Sequence, residues 1–332
     1  MRVLIIGGTG LISSAIVPLL VDRGDEVTLV NRHGSSLITG VRAILGDRSD
    51  VGFEALLAAL PTFDVIVDMV GYEPADGEQL ARLGGRCGQV VFCSTVDVYP
   101  KPAPGFYPVR SDDPLGADPA FQYAWKKVRI EEQLWRAYGD GRLALTVLRP
   151  GHTYGEGHGL VHPFGGSIDC LRRIRSGLPL IVHGDGSSLW SACHRDDVAL
   201  AFAGAIGNPA ALGRAYNVTG DQCMTWNQYW QLAAQALGCP CPELVHIPTQ
   251  SLYRLNPQRA AWILWNFMHD NVFDNSSAKR DLGFSQTIGW VQGVARVEQW
   301  LQEHDITEDP AQFAYYDQAI ARWRAAEKAF LS

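Results

Sequence analysis

The 332-residue chain carries seven cysteines but no Cys-x-x-Cys pair, which excludes a disulfide framework or a thiolate metal cage and suits a reducing, cytoplasmic setting. Cys239-Pro240-Cys241 is too tight a spacing for zinc and reads as loop, so no metal site is expected. No apolar run is long enough to cross a bilayer, and with the first strand opening at residue 2 no signal peptide is expected. No membrane partner is expected. Positive charge is scarce as well: a formal net charge of −7 gives no footprint for nucleic acid. Long linkers and internal repeats are also missing. What remains is a chain that is 47% hydrophobic and long enough to bury one large α/β core plus a smaller lobe.

The informative features begin at the N-terminus. Residues 2–6 form a β-branched apolar run of the kind that becomes a buried parallel strand, and Gly7-Gly8-Thr9-Gly10 follows directly. The spacing of Ile12, Ile16, Leu19 and Leu20 predicts a helix from about Leu11 to Arg23, stopped by Gly24 before a second strand at Glu26–Val30. A strand, glycine turn, helix and strand in that order is the setting a dinucleotide fingerprint requires. Gly7 permits the tight turn, and Gly10 lets the backbone approach a pyrophosphate at the helix N-terminus, where free N–H groups favour an anion. Ser13 takes the third small position. The second strand ends in Asn31-Arg32-His33, without the carboxylate that accepts hydrogen bonds from the ribose hydroxyls of NAD. Arg32 can pair bidentately with a 2′-phosphate, so the cofactor expected is NAD(P), with NADP slightly preferred. The other place for Arg32 is against the adenine or in solvent.

A second group lies farther along. Gln89–Cys93 reads as a buried strand that delivers Ser94-Thr95-Val96-Asp97-Val98-Tyr99 at its carboxyl end, where open α/β sheets build their sites. In the next predicted helix, from about Phe121 to Ala137, Tyr123 and Lys127 share one face. A phenol with a pKa of about 10 is a poor base at neutral pH, but an adjacent ammonium and an oxidised nicotinamide both favour phenolate. Tyr123 then serves as general base for a substrate hydroxyl as hydride leaves the carbon, with Thr95 holding that oxygen.

These residues, with GGTGLIS at 7–13, GDRSD at 46–50, STVDVY at 94–99, YAWKK at 123–127, LRPGHTYG at 148–155 and HGDGSSLW at 183–190, resemble the extended short-chain dehydrogenases/reductases of the NAD-dependent epimerase/dehydratase group. LRPGHTYG, HGDGSSLW and the later YNVTGDQCMTWNQ are similar to a bacterial branch related to the chloroplast stem-loop-binding proteins. The resemblance implies a Rossmann-type doubly wound parallel sheet with a smaller C-terminal α/β substrate lobe. It implies Gly7, Gly10 and Ser13 at the cofactor phosphates, Arg32 at the adenosine ribose and Asp47 at the adenine, although Gly46-Asp47 could equally cap the next helix. Thr9, Leu11, Ile12, Asn31 and Pro150 complete the expected cofactor contacts, with Tyr123 and Lys127 shared with a catalytic set that includes Thr95.

In the extended group a bound cofactor oxidises a sugar hydroxyl to a ketone and later returns the hydride; the ketone acidifies the neighbouring C–H, opening epimerisation or loss of water. Asp97 stands two residues before Tyr99, where sugar 4,6-dehydratases carry Glu, while Val96 replaces the preceding acid of their pair. Asp97 as base and then acid points to a dehydratase. Alternatives are an epimerase by the same ketone route, a simple NAD(P)H-dependent reductase, and a non-catalytic or RNA-binding member of the fold. Asp97 can also simply cap a turn.

Nucleotide-sugar enzymes of this group hold pyrophosphate with an Arg after the Gly-Asp-Gly segment and another near the final Ser-rich segment. Residues 184–190 and 268–276 contain neither. Trp190, Trp262, Trp265 and Phe267 appear instead, flat rings suited to a nucleobase or the apolar face of a sugar, so a nucleoside, glycoside or sugar lacking a pyrophosphate is the expected substrate. Those rings could also form the lobe's core. His152, after the strand Leu143–Arg149, can bond substrate or satisfy a backbone carbonyl. The Pro-rich stretch Gly105–Pro119 reads as a loop over the cleft. The cofactor domain is expected over residues 1–150 and the lobe over 151–332, interleaved by a strand near 214–218 returning to the main sheet. The resemblance also implies a homodimer packed through the Tyr123 helix.

Overall fold

β1 (Arg2–Ile6) carries Val3, Leu4, Ile5 and Ile6 with at most 2% exposure, which a strand reaches only when helices cover both faces of its sheet. In the computed structural model, which describes every residue except Leu37 and Pro104, β1 leads through the glycine turn into α1 (Ser13–Asp22). The chain then forms β2 (Glu26–Asn31), β3 (Arg42–Leu45), α2 (Phe53–Ala59), β4 (Phe63–Asp68), α3 (Pro74–Leu83), β5 (Cys87–Cys93), α4 (Gln122–Gly139) and β6 (Leu145–Pro150). Seven parallel strands line up as Arg214–Val218, β6, β5, β4, β1, β2 and β3. β1 pairs with β2 on one side and β4 on the other, so the chain reverses its direction of travel across the sheet there. Such a switch point leaves a crevice at the carboxyl ends of the strands. This is the Rossmann-type, doubly wound sheet.

α4 explains its own placement. Ala124, Lys127, Val128, Ile130, Glu131, Leu134 and Ala137 recur at helical spacing and are buried, so two charged residues sit on the inward stripe. Glu131 is fully buried and receives Arg149 of β6 bidentately, at 3.0 Å from Nε and 2.7 Å from Nη2. Ser94 Oγ donates to the same carboxylate at 2.5 Å. Arg149 Nη1 also donates to the Tyr99 hydroxyl at 2.7 Å, and that hydroxyl donates to Asn217 Oδ1 at 2.7 Å. The network ties α4, β6, the end of β5 and the strand Arg214–Val218 together.

The chain divides into two compact units. The first comprises Met1–Thr153, Arg195–Gly220 and Phe273–Thr287, and the second Tyr154–His194, Asp221–Val272 and Ile288–Ser332. The second is built on aromatic rings: Trp190, Trp226, Tyr229, Trp230, Phe267, Trp290 and Tyr316 are all buried in its core. Trp226 donates Nε1–H to the Phe267 carbonyl at 3.1 Å and Trp290 to that of Tyr229 at 3.0 Å, which satisfies both indoles without water. Among the described residues no helix is long and apolar enough to cross a membrane.

Arg149→Met is expected to cost about 3–5 kcal/mol in chemical denaturation, because it leaves the Glu131 carboxylate buried and unpaired. Arg149→Met combined with Glu131→Gln should recover much of that loss; equal losses for the single and double variants would contradict the network's role.

Candidate active site

A cavity of about 840 Å³ lies in the first unit at the carboxyl ends of β1, β2, β4 and β5. Gly7, Thr9, Gly10, Leu11, Ile12, Asn31, Arg32, Asp47, Thr95, Tyr123, Lys127 and Pro150 line it together; Asp97, His152 and Trp190 do not.

Each wall residue is placed for a local reason. Gly7 adopts φ +89°, and a Cβ there would meet Val70 Cγ1 at 2.4 Å, so backbone freedom and space both demand glycine. A Cβ on Gly10 would meet only Ser13 Oγ, at 3.5 Å, which leaves the cavity side of the turn open. Ser13 folds inward: its hydroxyl accepts the Gly10 N–H at 2.9 Å and donates to the Gly7 carbonyl at 2.9 Å. It therefore braces the turn instead of presenting its hydroxyl to a phosphate. Asn31 is similarly committed, accepting from His33 N at 2.9 Å and donating to the Ser35 carbonyl at 3.0 Å, while Arg32 beside it is exposed at the cavity rim. Asp47 accepts from the hydroxyl and the N–H of Ser49, which hold its carboxyl below the usual range. Those bonds shape a turn ahead of α2, whose N-cap is Gly52.

Arg48 escaped the sequence reading although its neighbour Asp47 did not. Its guanidinium pairs with the fully buried Asp68 at the end of β4 at 2.7 Å and with Asp76 of α3 at 2.9 Å. Both partners lie far along the chain, so no local spacing announces them.

Lys127 is 2% exposed and donates Nζ–H to the Cys93 carbonyl at 2.8 Å, with its ammonium 4.8 Å from the Tyr72 ring centre. Burial pulls the pKa of that ammonium down. Tyr123 hydrogen-bonds Thr95 and has its pKa pushed well above that of a free phenol, first by burial and then by the Asp97 carboxylate. Among the chain's own groups, then, burial and the Asp97 carboxylate together favour the phenol, and Tyr123 stays protonated at neutral pH. A positive charge able to favour phenolate has to arrive with an oxidised nicotinamide.

Asp97 is buried in a short 3₁₀ turn immediately behind Thr95. Its Oδ1 accepts from Lys101 Nζ at 2.6 Å, its Oδ2 from Thr95 Oγ1 at 3.3 Å, and its own N–H donates to Thr95 Oγ1 at 3.2 Å. Lys101 also escaped the sequence reading. It stands four residues after Asp97, but the turn that brings them together belongs to no periodic element.

Three expectations change. Trp190 packs at 4.8 Å from Trp226 and 5.0 Å from Phe267 in the core of the second unit, so its ring is spent on packing. His152 sits between Gly151 and Thr153, both on the cavity wall, and extended backbone alternates its side chains; burial keeps its imidazole neutral. The stretch 105–119 packs Val109 beside Phe273 and lays Leu115 and Ala117 against Val98, Tyr99 and Val128, with no residue on the cavity wall. Val109, Leu115 and Ala117 anchor part of it on the first unit, while Phe106 stays exposed.

The sequence profile of the NAD dependent epimerase/dehydratase family matches residues 3–219. The chain is similar to 2′-dehydrokanamycin reductase of Streptomyces kanamyceticus, 25% identical over 303 residues that cover 91% of this chain and 84% of that one. It is also similar to the chloroplast stem-loop binding protein of 41 kDa b of Arabidopsis thaliana, 27% identical over 311 residues covering 88% and 77%. Among solved structures, dTDP-glucose 4,6-dehydratase of Bacillus anthracis in complex with NAD superposes with a TM-score of 0.71 at 17% identity, covering 92% of this chain and 97% of that one; likeness at that identity speaks for the fold.

Gly7→Ala is expected to weaken NAD(P) binding by about tenfold or more in a fluorescence titration, because the added methyl displaces Val70 at the cavity wall. Unchanged affinity would show that the turn does not shape the cofactor site.

Proposed function

The chain belongs to the NAD dependent epimerase/dehydratase family, and from that premise we propose that it reduces a ketone on a glycoside, nucleoside or sugar lacking a pyrophosphate, using NAD(P)H. The observation that carries this reading is the pairing of Asp97 with Lys101 at 2.6 Å, which ties up the carboxylate that elimination would need as its base.

The nicotinamide, when bound, supplies the hydride. Gly7 and Gly10 offer bare backbone to its pyrophosphate, and the first-turn amides of α1 favour the anion. Arg32 at the rim suits a 2′-phosphate, which favours NADP over NAD. Lys127, fixed on the Cys93 carbonyl, keeps a positive charge beneath the reacting region. Thr95 lines the cavity with Tyr123, and Tyr123 transfers its proton to the substrate oxygen as negative charge develops there. The absence of Arg and Lys from residues 184–190 and 268–276 supports a substrate without pyrophosphate.

A second reading is the dehydratase, in which the hydride is taken from a hydroxyl and returned after water is lost. It draws on the 3.3 Å contact between Thr95 and Asp97, which puts a carboxylate one step from the substrate oxygen. Elimination needs that carboxylate as a base, and the 2.6 Å pair with Lys101 opposes this role. Epimerisation shares the ketone route. An RNA-binding role, which the name of the Arabidopsis relative brings to mind, is opposed by the formal charge of −7.

With a panel of keto-glycosides and keto-nucleosides, reduced-nicotinamide absorbance should fall in step with alcohol formation. Turnover on oxidised cofactor, with no net absorbance change and loss of water from the substrate, would establish the dehydratase instead. Tyr123→Phe should lower the rate by roughly 10²–10⁴ while leaving cofactor affinity intact. Arg32→Glu should weaken NADP binding by about tenfold and spare NAD; equal loss for both cofactors would remove Arg32 from the 2′-phosphate site.

A further inference from the structure

Thr95 has one hydroxyl proton and two neighbours that can take it. Its oxygen already accepts the Asp97 N–H at 3.2 Å, it donates to Asp97 Oδ2 at 3.3 Å, and it hydrogen-bonds the Tyr123 phenol. A hydroxyl offers one donor and two acceptor lone pairs. When the proton points at Asp97, only a lone pair is left for Tyr123, and Tyr123 must be the donor in its bond to Thr95. Tyrosinate reverses the order: it needs the Thr95 proton, and Asp97 loses it. Two features hold Asp97 as the competitor. Its backbone N–H is fixed on the same threonine oxygen, and Lys101 Nζ lies 2.6 Å from its other carboxylate oxygen with both side chains 8% exposed. The Lys101 ammonium fixes one carboxylate oxygen, which leaves Oδ2 directed at the Thr95 hydroxyl.

We propose that Asp97, anchored by Lys101, is a positioning residue that turns the Thr95 hydroxyl away from Tyr123 and so presents Tyr123 as a proton donor. The consequence for direction, a bias toward carbonyl reduction, rests on the function proposed above; the order of the hydrogen bonds does not. The other titratable groups facing Tyr123 are Cys93 at the end of β5, whose thiol burial pushes up to about 11, Tyr72 from the segment before α3, and Lys127 one turn along α4. None of them touches the Thr95 hydroxyl through a hydrogen bond given by the structure, whereas Asp97 does so twice.

The test is a pH titration by ¹³C NMR of the full chain labelled at tyrosine Cζ, with the Tyr123 signal assigned by its loss in Tyr123→Phe. Asp97→Asn should lower the onset of Tyr123 ionisation by about one pH unit or more relative to the unsubstituted chain. Asp97→Asn combined with Lys101→Met, which leaves no buried ammonium unpaired, should give the same displacement should the single variant fold poorly. In a Thr95→Val background most of that displacement should vanish. A Tyr123 signal that follows the unsubstituted chain in both Asp97 variants overturns the proposal, and so does a full displacement that persists without the Thr95 hydroxyl. No substrate enters the titration, so its failure leaves the hydride assignment untouched, and a failure to reduce ketones leaves this hydrogen-bond order untouched.

Discussion

The seven parallel strands put all their carboxyl ends on one edge, and the reversal of direction at β1 and β4 opens that edge into a crevice. The candidate cofactor and catalytic residues other than Asp97 line it. Gly7 and Gly10 follow β1, Arg32 follows β2, Asp47 follows β3, Thr95 follows β5 and Pro150 closes β6. α4 then lays Tyr123 and Lys127 across the same crevice, because its buried face carries Glu131 to Arg149 and Lys127 to the Cys93 carbonyl. Two buried charges therefore fix the register of the helix against the sheet, and the tyrosine inherits its position from them.

Electrostatics within the crevice is unevenly distributed. Cationic groups stand at the rim and floor, as Arg32 and Lys127, while Arg48 is fully occupied by Asp68 and Asp76. Asp97, the carboxylate hydrogen-bonded to Thr95, is matched by Lys101. The cavity wall therefore carries both signs, with Arg32, Arg48 and Lys127 set among Asp47, Glu73 and Asp76. The proton on Tyr123 is retained by burial and by the Asp97 charge, and only a cationic ring drawn into the crevice would reverse that balance.

The fold was legible from local pattern. Residues 2–30 spell strand, glycine turn, helix and strand with little ambiguity, and the Tyr123–Lys127 spacing sits on a helix as its periodicity demands. Groups defined by tertiary partners were not legible. Lys101 follows Asp97 through a turn without periodicity, and Arg48 finds Asp68 and Asp76 only because β3, β4 and α3 converge. Trp190 shows the opposite error. An indole in a glycine-rich segment looks like a ligand-stacking ring until the fold supplies Trp226 and Phe267 as neighbours, and ring composition alone does not distinguish a core from a binding face.

The central claim is that an oxidised or reduced nicotinamide lies against a tyrosine that exchanges a proton with the substrate oxygen. The most direct measurement is a crystal structure of the NADP complex. The account predicts the nicotinamide C4 facing the Tyr123 hydroxyl, with room for a carbonyl group between them. A nicotinamide ring lodged away from Tyr123, or a crevice that takes up no dinucleotide, would contradict it.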